Sequence, residues 1–357
     1  MSVVSLSVAA EEDALALYTR ALKALEEGRP SEAEKLSLQA VDQDPSLAKA
    51  HALHGVILEE LGHGDRALES YREALRLKPD YAEVYHNLCL FHNQGQQFSE
   101  AIDMCRKAVE FNPRNSDALN NLGRAALKLG ELDQAQDALE RALEIDPGSM
   151  SAHYNLALTF AERGRVSMAI GELEIAYQGA RETADSHRIN WIVEVCTRLL
   201  NRYPEDGASW RVHRLLGRNY SDQKWYGTAI PHLQIAAKHR DYDSVLQLGR
   251  CYRIKALTGE ALSTLRRAVR MRPDDYQAHN ELGHALGTLQ DDWESAEHEF
   301  RVALETRPDN PEVHYNLAYA MYSMERYDQA RQSFDEAFRL KPEMEESEHF
   351  QGLEFPE

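Results

Sequence analysis

The chain has 357 residues, 43% of them hydrophobic, and a mean hydropathy of -0.57. No apolar run approaches the roughly 20 residues that cross a bilayer, which weighs against membrane insertion. Asp and Glu number 59 against 40 Lys and Arg, a net charge of -19, so a general affinity for nucleic acid is not expected.

Residues 1–13 are mildly apolar and carry no Lys or Arg ahead of Glu11, Glu12 and Asp13. A secretory signal needs a basic start and a longer apolar run, so a flexible cytoplasmic end is expected here. From residue 14 onward a step of 34 residues organises the chain. Alanines fall at Ala33, Ala67, Ala101, Ala135 and Ala169, with a second series at Ala40, Ala74, Ala108, Ala142 and Ala176. Pro45, Pro79, Pro113 and Pro147 keep the same step. Each repeat opens with an apolar helix bearing a Leu-small pair, as in Leu122-Gly123 and Leu156-Ala157, where the small residue lets a partner helix approach. A Gly- or polar-rich turn follows, then a helix presenting the two alanines, which the proline ends because it cannot donate a backbone hydrogen bond.

Five such repeats are expected over 14–183. Residues 184–209 break the pattern: they hold one apolar-periodic helix, about 186–203, ending at Pro204, and lack the Leu-small and paired-alanine signals. An irregular connecting helix or a degenerate tenth repeat both fit. The pattern then returns in a new frame over 210–344, with Ala229, Ala261, Ala296 and Ala330 followed by Ala236, Ala268, Ala303 and Ala337, in four repeats. The third of these carries an extra residue near Gln290-Asp291-Asp292. Residues 345–357 form an acidic tail interspersed with Phe350, Leu353 and Phe355, expected to cap the array or to mimic an acidic ligand.

The segments Ala82-Glu-Val-Tyr-His-Asn-Leu88, Pro311-Glu-Val-His-Tyr-Asn-Leu317 and Asp65-Arg-Ala-Leu-Glu-Ser-Tyr-Arg-Glu-Ala-Leu75 resemble the tetratricopeptide repeat (TPR) family, first helix and second helix respectively. The resemblance implies an all-α, right-handed superhelical solenoid of about nine helix-turn-helix repeats, with one extra helix between two arrays. It also implies that first helices line a concave groove where ligands lie. Asn87, Asn121, Asn155 and Asn316 recur one residue before the repeat leucine, with Gln247 and Glu281 at the same place elsewhere. Such a ladder can clamp a peptide backbone, or tie neighbouring helices together.

Charge divides the chain unevenly. Residues 184–273 hold 16 basic and 8 acidic side chains, whereas 1–183 hold 18 and 30 and 274–357 hold 6 and 21. Arg211, Arg214 and Arg218 share one helix face, as do Arg250 and Arg253, on the expected groove side together with Arg124 and Lys128. Arginine forks suit carboxylates and phosphates, although a solvated face gives the same pattern. Tyr315, Tyr319 and Tyr322 lie at i, i+4 and i+7, placed to anchor apolar side chains or to pack under a C-terminal cap.

No metal or catalytic signature appears, so no cofactor, no metal and no enzymatic activity are expected. His51, His153, His213, His279 and His314 recur at one repeat position, which suggests packing in the stack. Cys89, Cys105, Cys196 and Cys251 are scattered, and Cys89 and Cys105 fall on opposing helices of one repeat, so unlinked core-filling thiols in a reducing compartment, the cytoplasm, are expected. Asn120, Arg124 and Asn155 partly echo the family's carboxylate clamp, but the odd helix interrupts the third repeat that a clamp would need. The reading is a non-enzymatic scaffold or adaptor that binds an acidic or phosphorylated peptide in the groove, with self-association open. The alternatives are a regulatory subunit of an enzyme or secretion complex docking through its convex face, and an RNA-binding protein using the aromatic-rich basic block.

Overall fold

The structure, a computed structural model, describes residues 3–183 and 185–346 with Phe350, Leu353 and Phe355, and all their side chains except those of residues 3–12 and Arg188. The described residues form α-helices joined by short turns, and none of the helices is long and apolar enough to cross a membrane. The chain divides into two compact units, Met1–Ser186 and His187–Glu357.

In the first unit the helices pack in consecutive pairs: α1 (Val3–Glu26) on α2 (Pro30–Gln43), α3 (Ala48–Glu60) on α4 (Gly64–Leu77), and α5 (Ala82–Gln94) on α6 (Phe98–Phe111). The pairs continue with α7 (Ser116–Leu129) on α8 (Leu132–Ile145) and α9 (Met150–Glu162) on α10 (Val166–Glu182). Helix α1 begins at Val3, ahead of the repeat boundary at residue 14. Helix α11 (Ser186–Arg202) follows. The second unit pairs α12 (Ser209–Asp222) with α13 (Tyr226–Lys238), α14 (Tyr242–Ile254) with α15 (Thr258–Met271), α16 (Tyr276–Gln290) with α17 (Trp293–Thr306), and α18 (Pro311–Ser323) with α19 (Tyr327–Leu340). Within it the first helices also touch in series, α12 to α14 to α16 to α18, and form a continuous layer.

Local chemistry sets the helix ends. Asn115, Ser149, Asp241 and Asn310 cap α7, α9, α14 and α18 by accepting from backbone N–H groups three residues on. The repeat prolines stand two residues past the ends of α2, α4, α6 and α8. Between helices the chain turns through a left-handed residue, Gly130 at φ 78° after α7 for example, where a side chain would be strained.

Most helix pairs close on one contact, small residue against large. A Cβ on Gly123 would stand 2.4 Å from Leu139 Cγ, and one on Gly249 2.6 Å from Leu265 Cδ2, so both glycines are required by their neighbours. In α9 and α10 the same positions hold Ala157 and Leu173, both fully buried. In α5 and α6 they hold Cys89 and Cys105, and these form a disulfide with Cα atoms 5.0 Å apart and a sequence separation of 16. This corrects the expectation of four unlinked thiols. The spacing from Cys89 to Cys105 equals that from Gly123 to Leu139, so the fold brings the two sulfurs to the helix–helix contact. The inference of a reducing compartment loses its support with that pairing. Cys196 and Cys251 are free and buried.

The recurring histidines fasten one helix pair to the next. The Nε2 atoms of His51, His153, His279 and His314 lie 3.0, 3.0, 2.7 and 2.7 Å from the carbonyl oxygens of Pro45, Pro147, Pro273 and Pro308, each six residues earlier. The other ring nitrogens of His153 and His279 meet Glu172 at 2.6 Å and Glu299 at 2.5 Å. His213 departs from this scheme: Gly207 stands where the proline would be, and its Nδ1 lies 2.8 Å from Nδ1 of His232. Burial, and then the neighbouring imidazole, push His213 down to about 4, and burial lowers His232 as well.

Candidate interaction site on the first-helix layers

The asparagine ladder is engaged within the stack. Asn155 on α9 donates its amide to Asn120 Oδ1 on α7 at 2.9 Å, and Asn316 on α18 does the same to Asn280 on α16 at 2.9 Å. Asn121 donates to the carbonyl of Asp117 at 2.8 Å, while its own carbonyl accepts from Asn93 of α5 at 3.2 Å. Asn121 and Asn155 are buried. Asn87 and Gln247 are half-buried on α5 and α14. The tie between neighbouring helices is therefore present in both units.

The basic residues divide by the company they keep. In the first unit Arg124 is half-buried and Lys128 exposed on α7, with no carboxylate within 4.0 Å among the described residues. In the second unit Arg214 reaches Asp241 at 3.3 Å, the residue that also caps α14, and lies over the Trp210 ring. Arg253 bonds Glu281 of α16 at 2.9 Å, with both side chains only about 15% exposed (15% and 14%). Arg250, 52% exposed, shares that carboxylate at 3.4 Å. Arg218 stands half-buried on α12, with no carboxylate within 4.0 Å among the described residues. Arg211 is half-buried one turn before Arg214. Helix periodicity identified the face these arginines share. It could not reveal Asp241 and Glu281, which reach them from other helices.

At the far end of the same layer the three tyrosines pack on aromatic neighbours. Tyr315 sits edge-on to Phe334 with centroids 5.1 Å apart, Tyr319 edge-on to Trp293 at 5.5 Å, and Tyr322 edge-on to Phe355 at 5.2 Å. The described tail residues cover α19: Phe350 lies 4.7 Å from Phe338 and 5.0 Å from Phe334. Between α16, α17 and α18 a cavity of about 260 Å³ opens, lined by His284, Thr288, Trp293, Phe300, Tyr315, Asn316 and Tyr319. Sequence reasoning found three of those residues, Tyr315, Asn316 and Tyr319, and missed the pocket.

Two family models match the chain. A tetratricopeptide repeat model covers residues 92–158 and 288–352, and a TPR repeat model covers 65–95. The paired helices, with their small–large contacts, run through these stretches. The matched stretches, 65–158 and 288–352, carry TPR repeats. Among curated relatives, the chain is 33% identical over 98 residues to the photosystem I assembly protein Ycf3 of Cyanophora paradoxa, a match over 26% of the chain that spans 56% of that relative's length. Among solved structures it is similar to MamA, with 24% identity, a TM-score of 0.42, and coverage of 45% of this chain and 95% of that one. It is likewise similar to YrrB, described as a TPR protein with an unusual peptide-binding site, at 23% identity and TM-score 0.43 over 51% and 94% of the two chains. For Pseudomonas aeruginosa pilF the figures are 22% and 0.47 over 68% and 94%.

Proposed function

We propose that this protein is a non-catalytic scaffold that holds an acidic or phosphorylated peptide segment along the first-helix layer of its second unit. One observation carries the reading: Arg218 is half-buried on that layer with no carboxylate within 4.0 Å among the described residues, in the same block of chain as the half-exposed Arg250. A partly desolvated guanidinium favours a carboxylate or phosphate from outside, in fork geometry. The acidic remainder of the chain would repel other acidic surfaces and narrow the choice to segments that reach this stripe. The test is fluorescence polarisation with glutamate- and phosphoserine-containing dodecapeptides on the full chain. Arg218→Glu should weaken binding at least tenfold; equal affinity for wild type and variant would dispose of the reading.

A second reading has a separate observation behind it. Where α8 carries Asp137 and Arg141, α10 carries Gly171 and Ile175, and Met168 and Ile175 are 47% and 51% exposed. That neutral outer face suits docking to a larger assembly through the second helices. Ile175→Glu would then abolish co-purification of such a partner and leave acidic-peptide binding unchanged.

A further inference from the structure

The cavity between α16, α17 and α18 exists because its repeat breaks the common length. The spacing from Gly283 to its large partner Phe300 is one residue longer than from Gly249 to Leu265, and the extra residue falls in the turn after α16. That turn passes through Asp291 at φ 59°, and Asp291 Oδ1 accepts from Trp293 Nε1 at 2.5 Å. The indole is thereby laid against α16 at Gly287, where a Cβ would stand 2.3 Å from the ring. Trp293, Phe300, Tyr315 and Tyr319 make the pocket walls, and exposed Thr288 stands at its rim. His284, lowered first by burial and then by Arg253, adds no charge to the wall at neutral pH. A cavity of about 150 Å³ already accepts a benzene ring, so about 260 Å³ accommodates one aromatic side chain.

Resting on the acidic-peptide reading above, we infer that this pocket is a specificity subsite for an aromatic side chain of the bound peptide, whose acidic residues then lie over the arginines. Arg253 connects the two regions directly, its Nη1 lying 3.3 Å from His284 Nδ1. Packed helices stand about 8–10 Å apart, and an extended peptide advances about 3.3 Å per residue. One helix step is therefore about three residues. The acid facing Arg250 on α14 falls about three to five residues from the aromatic anchor, and the acid facing Arg218 on α12 about six to eight. The ligand is thus a peptide with one buried ring and two spaced negative charges, anchored by the ring and oriented by the charges.

Random dodecapeptides displayed on phage and selected on the full chain test this, in parallel with Thr288→Trp, which fills the pocket, and Trp293→Leu, which removes its wall. Circular dichroism melting establishes that each variant is folded. The wild type should enrich peptides with an aromatic residue and an acid three to five positions away, and both variants should lose the aromatic preference. An enriched synthetic peptide should lose at least tenfold in affinity when its ring is replaced by alanine. Acid enrichment without an aromatic residue, or an aromatic preference that survives in both folded variants, would overturn the subsite and leave the arginine reading standing. Aromatic enrichment without acids would overturn the arginine reading, and selection of neither would overturn both.

Discussion

Replacing Cys89 and Cys105 tests whether the disulfide substitutes for the small–large contact used elsewhere. The bond closes a loop of 16 residues, and cross-links of that length stabilise by about 3 kcal/mol. Cys89→Ala/Cys105→Ala loses that and the burial of two sulfurs, roughly 1 kcal/mol each on the scale of a core methylene, for a total near 5 kcal/mol. Cys89→Ala/Cys105→Leu reproduces the fully buried Ala157–Leu173 contact of the fifth pair. A buried leucine returns about 1.5–3 kcal/mol, which leaves a deficit of about 2–3.5 kcal/mol. Because the chain has two compact units, a single global unfolding free energy is not defined. Hydrogen exchange read on α5 and α6 peptides supplies the local value instead. The expected order is wild type, then Ala/Leu, then Ala/Ala, with oxidised wild type moving toward Ala/Leu when reductant is added. If Ala/Leu opens as readily as Ala/Ala, the two positions are not equivalent to the contact in the other pairs.

Three further outcomes are expected. Glu281→Leu leaves Arg253 buried without its anion, which should cost about 3 kcal/mol in a melt while raising the affinity for acidic peptides; lower affinity would contradict the assignment of Arg250 and Arg253 to the ligand face. His213, held down to about 4 in the fold, stays neutral while the unfolded chain takes up its proton near 6.5, so stability should fall as pH drops from about 6.5 to about 4. With the pair half-exposed the loss is about 1–2 kcal/mol after solvent screening, and His213→Phe should flatten that slope. His153, raised first by its bond to Glu172, acts in the opposite direction, its contribution present at low pH and lost as pH rises through its folded value. Removing residues 345–357 uncovers Phe334 and Phe338, so light scattering should detect self-association and the melting midpoint of the second unit should drop, consistent with about 2–4 kcal/mol of lost burial; a monomer of unchanged midpoint would show that the cap contributes nothing.

The helix pairs were legible because alanine and proline spacing reports close packing and chain reversal, both local consequences of residue type. The helix at Ser186–Arg202 was legible from its apolar periodicity, in a stretch where the alanine and Leu-small signals lapse. The disulfide was missed although its signal was present: the Gly123-to-Leu139 step, applied to Cys89, lands on Cys105. Asp241 and Glu281 went unrecognised as partners because periodicity assigns a side chain to a face and carries no information about what reaches that face from a neighbouring helix. The pocket at Trp293 lay hidden in an apparent irregularity, a single inserted residue whose effect is a reoriented indole and not a lengthened loop.

The fastening between first helices has a consequence for how binding responds to the medium. Asn155 to Asn120 and Asn316 to Asn280 are neutral amide bonds, indifferent to ionic strength and to pH across the physiological range. The cations displayed on the same layers are partly exposed and are screened as salt rises. Salt therefore adjusts how strongly a charged ligand is held while the spacing of the surface that measures it stays constant. Length discrimination and affinity become separate properties of the molecule, the first set by amides and the second by arginines.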